Sequence, residues 1–188
     1  DTFNAISPNL SKSQIEDLFR RLTDRLNDND PDIVSNNLTA LAAIITQLTP
    51  NQVNSVLNQA LSLLDSNARS VRKSALKLLM AGASQLSLEQ VETSLSKLVI
   101  MLEQSQSTIV REVKAASIPV LVLHNLNIMT PKLDSKQRKL VFKKVVARLT
   151  DCELEVGEQA TALLSSIIVS ENNSLQQLKR YSEKLSKS

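Results

Sequence analysis

Apolar residues at Ile15, Leu18, Phe19, Leu22 and Leu26 stand at offsets 0, 3, 4, 7 and 11, the stripe that one face of an α-helix turns toward a core. The same offsets return at Val53, Val56, Leu57, Ala60 and Leu64, and again at Val91, Ser94, Leu95, Leu98 and Leu102. A fourth set is Arg138, Val141, Phe142, Val145 and Leu149. Before each stripe a Ser, Thr or Asp precedes a Gln by three positions: Ser11 and Gln14, Thr49 and Gln52, Ser87 and Gln90, Asp134 and Gln137. That spacing predicts a capping box, in which the cap side chain accepts the N3 amide and Gln reaches back to the amide of the cap. Leu10, Leu48 and Leu86, paired with Ile15, Val53 and Val91, complete a hydrophobic staple that Arg138 interrupts in the fourth copy.

A polar turn follows each of these helices, rich in Asp, Ser and Asn, as in Asn27-Asp28-Asn29-Asp30-Pro31-Asp32. A second helix is predicted after each turn, beginning at Ile33, Val71, Ile109 and Val156. Its small or apolar positions include Ala40, Leu41, Ile44 and Ile45; Ala75, Leu78, Leu79 and Ala83; Ala116, Val120 and Leu121; and Ala160, Leu163, Leu164, Ile167 and Ile168. Neither helix of such a pair buries its stripe alone, so neighbouring pairs must supply the rest of the core.

The Asp-rich turn, the apolar-basic sequences Val71-Arg72-Lys73 and Val110-Arg111, and the alanines of the second helix resemble the HEAT-repeat family over residues 8–171. The expected fold is all-α, an α-solenoid of about four HEAT-like hairpins plus a C-terminal capping helix, about nine helices in all. Expected boundaries are an N-terminal extension at 1–9, repeats at 10–47, 48–85, 86–132 and 133–171, and a terminal helix or truncated fifth repeat at 172–188. The first three copies are 38 residues apart and the fourth follows after 47. The surplus is expected at 124–132, as a longer connection after a second helix that Pro119 bends. Ser174 is expected to open the ninth helix, with Leu175, Leu178, Tyr181 and Leu185 on its apolar edge.

Composition supports helices. Aromatic residues make up only 2% of the 188, a poor supply for β-sheet. Cys152 is the one cysteine, which leaves no internal disulfide and suits an intracellular protein, cytoplasmic or nuclear. No apolar run is long enough to insert in a membrane. His124, the only histidine, is expected just after a second helix, with no ligand-spaced partner. Glycine is limited to Gly82 and Gly157, so no phosphate-binding loop is expected. These absences point away from an enzyme and from any cofactor or metal.

Charge is uneven. Residues 132–148 hold Lys132, Lys136, Arg138, Lys139, Lys143, Lys144 and Arg148 against Asp134, a local +6 in a chain of net +3. The expected function is a non-catalytic scaffold or adaptor. Its proposed docking face for an acidic protein segment comprises Lys136, Lys139, Lys143, Lys144 and Arg148, with the 124–132 connection beside it. Binding of a polyanion or nucleic acid through 135–148 is the alternative, weakened by the scarcity of aromatic residues, with Phe142 expected on the core side. The resemblance also raises tubulin binding as a minor alternative, because HEAT-type tubulin-binding domains use the ridge of intra-unit turns. Here that ridge offers Arg69, Arg72, Lys73 and Arg111, but no aromatic residue in its first turn.

Overall fold

The computed structural model describes residues 10–104, 118–146 and 154–185, and every regular element among them is helical. Eight α-helices follow in order: α1 (Lys12–Asp24), α2 (Pro31–Ile44), α3 (Pro50–Leu63), α4 (Arg69–Ala81), α5 (Leu88–Gln104), α6 (Ile118–Met129), α7 (Ser135–Val146) and α8 (Leu154–Leu185). Consecutive helices pack as pairs, α1 with α2, α3 with α4, α5 with α6 and α7 with α8. The even-numbered helices also follow one another in a row, α2 on α4, α4 on α6 and α6 on α8, while α5 lies between α3 and α7 in a second row. One apolar core runs without a break from Ile15 to Ile167 between the two rows.

The odd helices begin where the capping boxes predict. The amides of Ser11, Thr49, Ser87 and Asp134 donate to the side-chain carbonyls of Gln14, Gln52, Gln90 and Gln137 at 2.8, 2.9, 3.0 and 2.9 Å. In return the backbone amides of the four Gln residues donate to the cap side-chain oxygens at 3.3, 3.4, 3.2 and 2.7 Å. The even helices α2, α4 and α6 each end in a short 3-10 turn, Ile45–Gln47, Ala83–Gln85 and Thr130–Lys132. Each turn stops two residues before the next cap, which fixes how the copies align.

That alignment corrects three expectations. The nine-residue surplus is not at 124–132, because those residues form the end of α6 and a turn matching the other two. Counting back from the turns, it falls between Leu102 and Ile118; α5 takes up three of the residues and the rest lie in 105–117, outside the described residues. His124 therefore lies inside α6, half-buried, at the position held by Thr39 in α2 and Lys77 in α4. Pro119 is the second residue of α6 as described, and the residues before Ile118 are again outside.

The third correction concerns the end. No ninth helix opens at Ser174, because α8 runs 32 residues from Leu154 to Leu185 without interruption. The earlier turns are punctuated by Pro50, Gly82 and Pro131, whereas no Pro or Gly follows Gly157, so nothing in the sequence breaks the helix. Residues 1–9, Arg111, Arg148, Leu149, Asp151, Cys152 and Glu153 lie outside the described residues.

Candidate interaction surface

The basic stretch divides once each charge is traced. Lys132 Nζ donates to the carbonyls of Ser84 and Leu86 at 3.0 and 2.9 Å, closing the 3-10 turn after α4 from the far side of the joint. Arg138 Nε donates to Glu171 Oε1 of α8 at 2.6 Å, and its Nη1 reaches the Leu133 carbonyl. The Arg138 side chain is only 11% exposed, so the apolar staple of the earlier copies is replaced by an ion pair rather than lost. The Arg138 guanidinium holds the Glu171 carboxyl below the ordinary glutamate range, with Ser135 and Lys139 lowering it further.

Lys144 bonds to Glu103 of α5. The same tie occurs one joint earlier, where Lys97 of α5 pairs with Asp65 after α3. Lys97 and Lys144 lie ten residues beyond their caps, and Asp65 and Glu103 sixteen beyond theirs, so this contact is a recurring feature of the packing. Lys136, Lys139 and Lys143 remain, exposed on α7 and joined to no carboxylate among the described residues. The structure thus brings three of the five predicted cations together on open surface. Lys144 is engaged internally, and Arg148 lies outside the described residues.

The turn ridge is less open than its sequence suggests. Arg72 Nη1 donates to the carbonyls of Ser66 and Asn67 at 2.7 and 2.9 Å, tightening its own turn. Arg69 opens α4 and Lys73 is its fifth residue, and Arg111 lies outside the described residues. Around His124 no group of His, Cys, Asp and Glu arranged for a metal ion exists among the described residues.

An apolar feature beside the lysines was not legible in the sequence. Phe142, expected on the core side, is 38% exposed, and Val146, Ile168 and Val169 are 41%, 50% and 58% exposed. Counted from the caps, Phe142 matches Leu57 and Leu95, and Val146 matches Leu61 and Val99, all of them buried. Ile168 stands twelve residues after Val156, as Ala83 does after Val71, and Ala83 is buried too. In the second and third copies these positions are covered by the helix pair that follows, Phe19 in the first is half-buried, and α7 and α8 have no pair after them among the described residues. The result is a shallow groove of about 260 Å³ lined by Lys139, Phe142, Ile167, Ile168, Glu171 and Asn172.

No protein-family model matches this chain, and no curated protein matches it. Four chains of solved structures do. One is a crystal structure of an engineered protein from a structural genomics consortium, with a TM-score of 0.59 and 18% sequence identity. The likeness covers 80% of this chain and 62% of that one, and it shows a shared helical fold. This chain is an all-α protein, and among the described residues no helix is long and apolar enough to cross a membrane.

Proposed function

We propose that the chain is a non-catalytic protein-interaction scaffold, an α-solenoid of four HEAT-like hairpins that binds an acidic partner along α7. Support for the architecture comes from the two rows of helices and from the cap geometry repeated at all four odd helices. The binding reading rests on one observation, the exposed cations Lys136, Lys139 and Lys143, without a salt bridge among the described residues, beside an exposed apolar groove. Lys132, Arg138 and Lys144 by contrast are tied into the packing by hydrogen bonds and ion pairs. Attraction between such a rim and an acidic segment raises the encounter rate and falls with salt, as the Debye length shrinks from about 10 Å at 0.1 M to about 3 Å at 1 M.

The test is the triple reversal Lys136→Glu, Lys139→Glu and Lys143→Glu in protein whose helical circular dichroism is unchanged. Capture of the physiological partner should be lost, and wild-type capture should survive nuclease but weaken at high salt. Undiminished capture by the triple variant rejects the lysine rim. Nuclease-sensitive capture replaces a protein partner with a nucleic acid.

A further inference from the structure

The joint between the second and third helix pairs shows what the open end lacks. There Gln90, the N3 residue of α5, reaches across to α3: its Nε2 donates to Asn54 Oδ1 at 2.8 Å and to Asn58 Oδ1 at 2.7 Å. Its Oε1 meanwhile accepts the Ser87 amide of its own capping box at 3.0 Å. Asn54 and Asn58 lie five and nine residues after their cap, Thr49. On α7 the residues five and nine after Asp134 are Lys139 and Lys143. The apolar positions correspond as well, Phe142 and Val146 standing where Leu57 and Leu61 are covered. The end face therefore repeats the surface on which α5 sits, with two amides replaced by two ammonium groups.

Resting on the scaffold reading above, we infer that the end face takes an amphipathic helix of a partner protein that opens with a Ser/Thr-x-x-Glu capping box. That helix stacks on α7 as α5 stacks on α3, its apolar stripe over Phe142, Val146 and Ile168. One oxygen of the N3 glutamate accepts the partner's own N-cap amide, as in an ordinary capping box. The other accepts from Lys139 and Lys143, where a glutamine would turn its amide donors toward two cations. Among the described residues neither lysine has a salt bridge, since Glu171 and Glu103 are paired with Arg138 and Lys144, and Glu171 feels Lys139 only as a neighbouring charge. Among the described residues no helix covers this face, and α8 continues straight where α2, α4 and α6 turn back. A second copy fits poorly, because two end faces meeting would oppose their lysines, and the capping boxes of its odd helices all carry Gln.

The probe is a stapled helical peptide with the sequence of residues 86–102, compared with the same peptide carrying Gln90→Glu. Both are titrated into the full chain by fluorescence anisotropy, with methyl NMR locating the site. The Glu peptide should bind the wild type about tenfold tighter than the Gln peptide, the difference expected for one charge-assisted hydrogen bond. The gap should narrow between about 0.05 M and about 0.5 M salt. In Lys139→Asn/Lys143→Asn protein, which recreates the Asn54 and Asn58 surface, the preference should vanish or invert. Shifts should centre on Val146 and Ile168. Equal affinity of the two peptides for wild type, failure of both to bind, or shifts confined to other helices would each overturn the inference. So would dimerisation of the chain alone that Phe142→Asp abolishes, which would make the face a self-interface. If the triple lysine reversal abolishes capture of the physiological partner while the peptides show no preference, the scaffold reading stands and this inference fails.

Discussion

Gly82→Ala tests how tightly the first two helix pairs interlock. Gly82 caps α4 at φ −97°, a conformation open to any residue, so the backbone itself gives no reason for glycine. The reason is space. A Cβ there would lie 2.7 Å from Ile45 Cδ1 and 2.7 Å from Leu57 Cδ2, and both residues are at most 1% exposed. Forcing an extra methyl into a closed site costs about 1–3 kcal/mol. Alanine also restricts the unfolded chain, which returns about 0.4–1 kcal/mol. The net expectation is a loss of about 1–2 kcal/mol, or roughly 2–8 °C in melting temperature for a chain of this size. Ile45→Val removes the Cδ1 methyl and by itself costs about 0.5–1.5 kcal/mol. Combined with Gly82→Ala it should cost less than the sum of the two, by about 0.5 kcal/mol or more. Urea and thermal unfolding of the four proteins complete the cycle. A Gly82→Ala protein as stable as wild type, or strictly additive variants, would show that the methyls swing aside freely and that this joint is loosely packed.

Leu57 is fully buried at the same joint, and Leu57→Ala should cost about 2–5 kcal/mol. Hydrogen exchange should then show lost protection in α2 and α5 as well as α3 and α4; loss confined to α3 and α4 would contradict a shared core. Ser94 is fully buried with no partner for its hydroxyl among the described residues, at the position held by Val56 and Val141, so Ser94→Ala should stabilise by about 1 kcal/mol in urea unfolding. A loss instead would reveal a partner for that hydroxyl. Arg138→Val, which restores the residue type of Val53 and Val91, should leave the melting temperature unchanged or raise it, while Glu171→Ala should lower it by stranding Arg138. Because the folded Glu171 carboxyl titrates below its unfolded value, its contribution is present above the ordinary glutamate range and fades as pH falls through the lowered one. Carboxyl NMR titration showing an ordinary value would remove that linkage.

The helices were legible because their signals are local. A cap and a Gln three residues on are a complete instruction for one helix start, and all four instructions are carried out. What the sequence hid were contacts between copies. Arg138 reads as a broken staple until Glu171, 33 residues on, is placed against it. Gln90 reads as a capping residue alone, because nothing local shows that its other end meets Asn54 and Asn58. His124 and the surplus were misplaced for a related reason: the distance from Leu102 to Leu133 says how many residues were added and not where. The ties Lys97 to Asp65 and Lys144 to Glu103 do follow from cap-relative positions, once each copy is numbered from its own cap.

The joints also differ from one another in chemistry. The first is closed by hydroxyls, Ser35 with Ser74 at 2.8 Å and Thr39 with Ser74 at 3.2 Å. The second uses Gln90 on two asparagines and the buried Asn125, whose amide donates to the Leu76 carbonyl at 3.2 Å. The third keeps the lysine–carboxylate tie of the second, as Lys144 with Glu103 in place of Lys97 with Asp65. An array with identical joints tolerates deletion or duplication of a module, since any two modules present matching faces. Excising residues 48–85 here would strip Ser35 of its Ser74 partner and Gln90 of Asn54 and Asn58, with Glu16 and Arg20 at the corresponding positions of α1, whereas the backbone acceptors of Asn125 and Lys132 have counterparts in the first copy. Module order is thus marked by side-chain pairs at the first two seams, and recombination between copies of this gene segment would yield chains that pack their apolar stripes but lose the Ser35–Ser74 and Gln90–asparagine contacts.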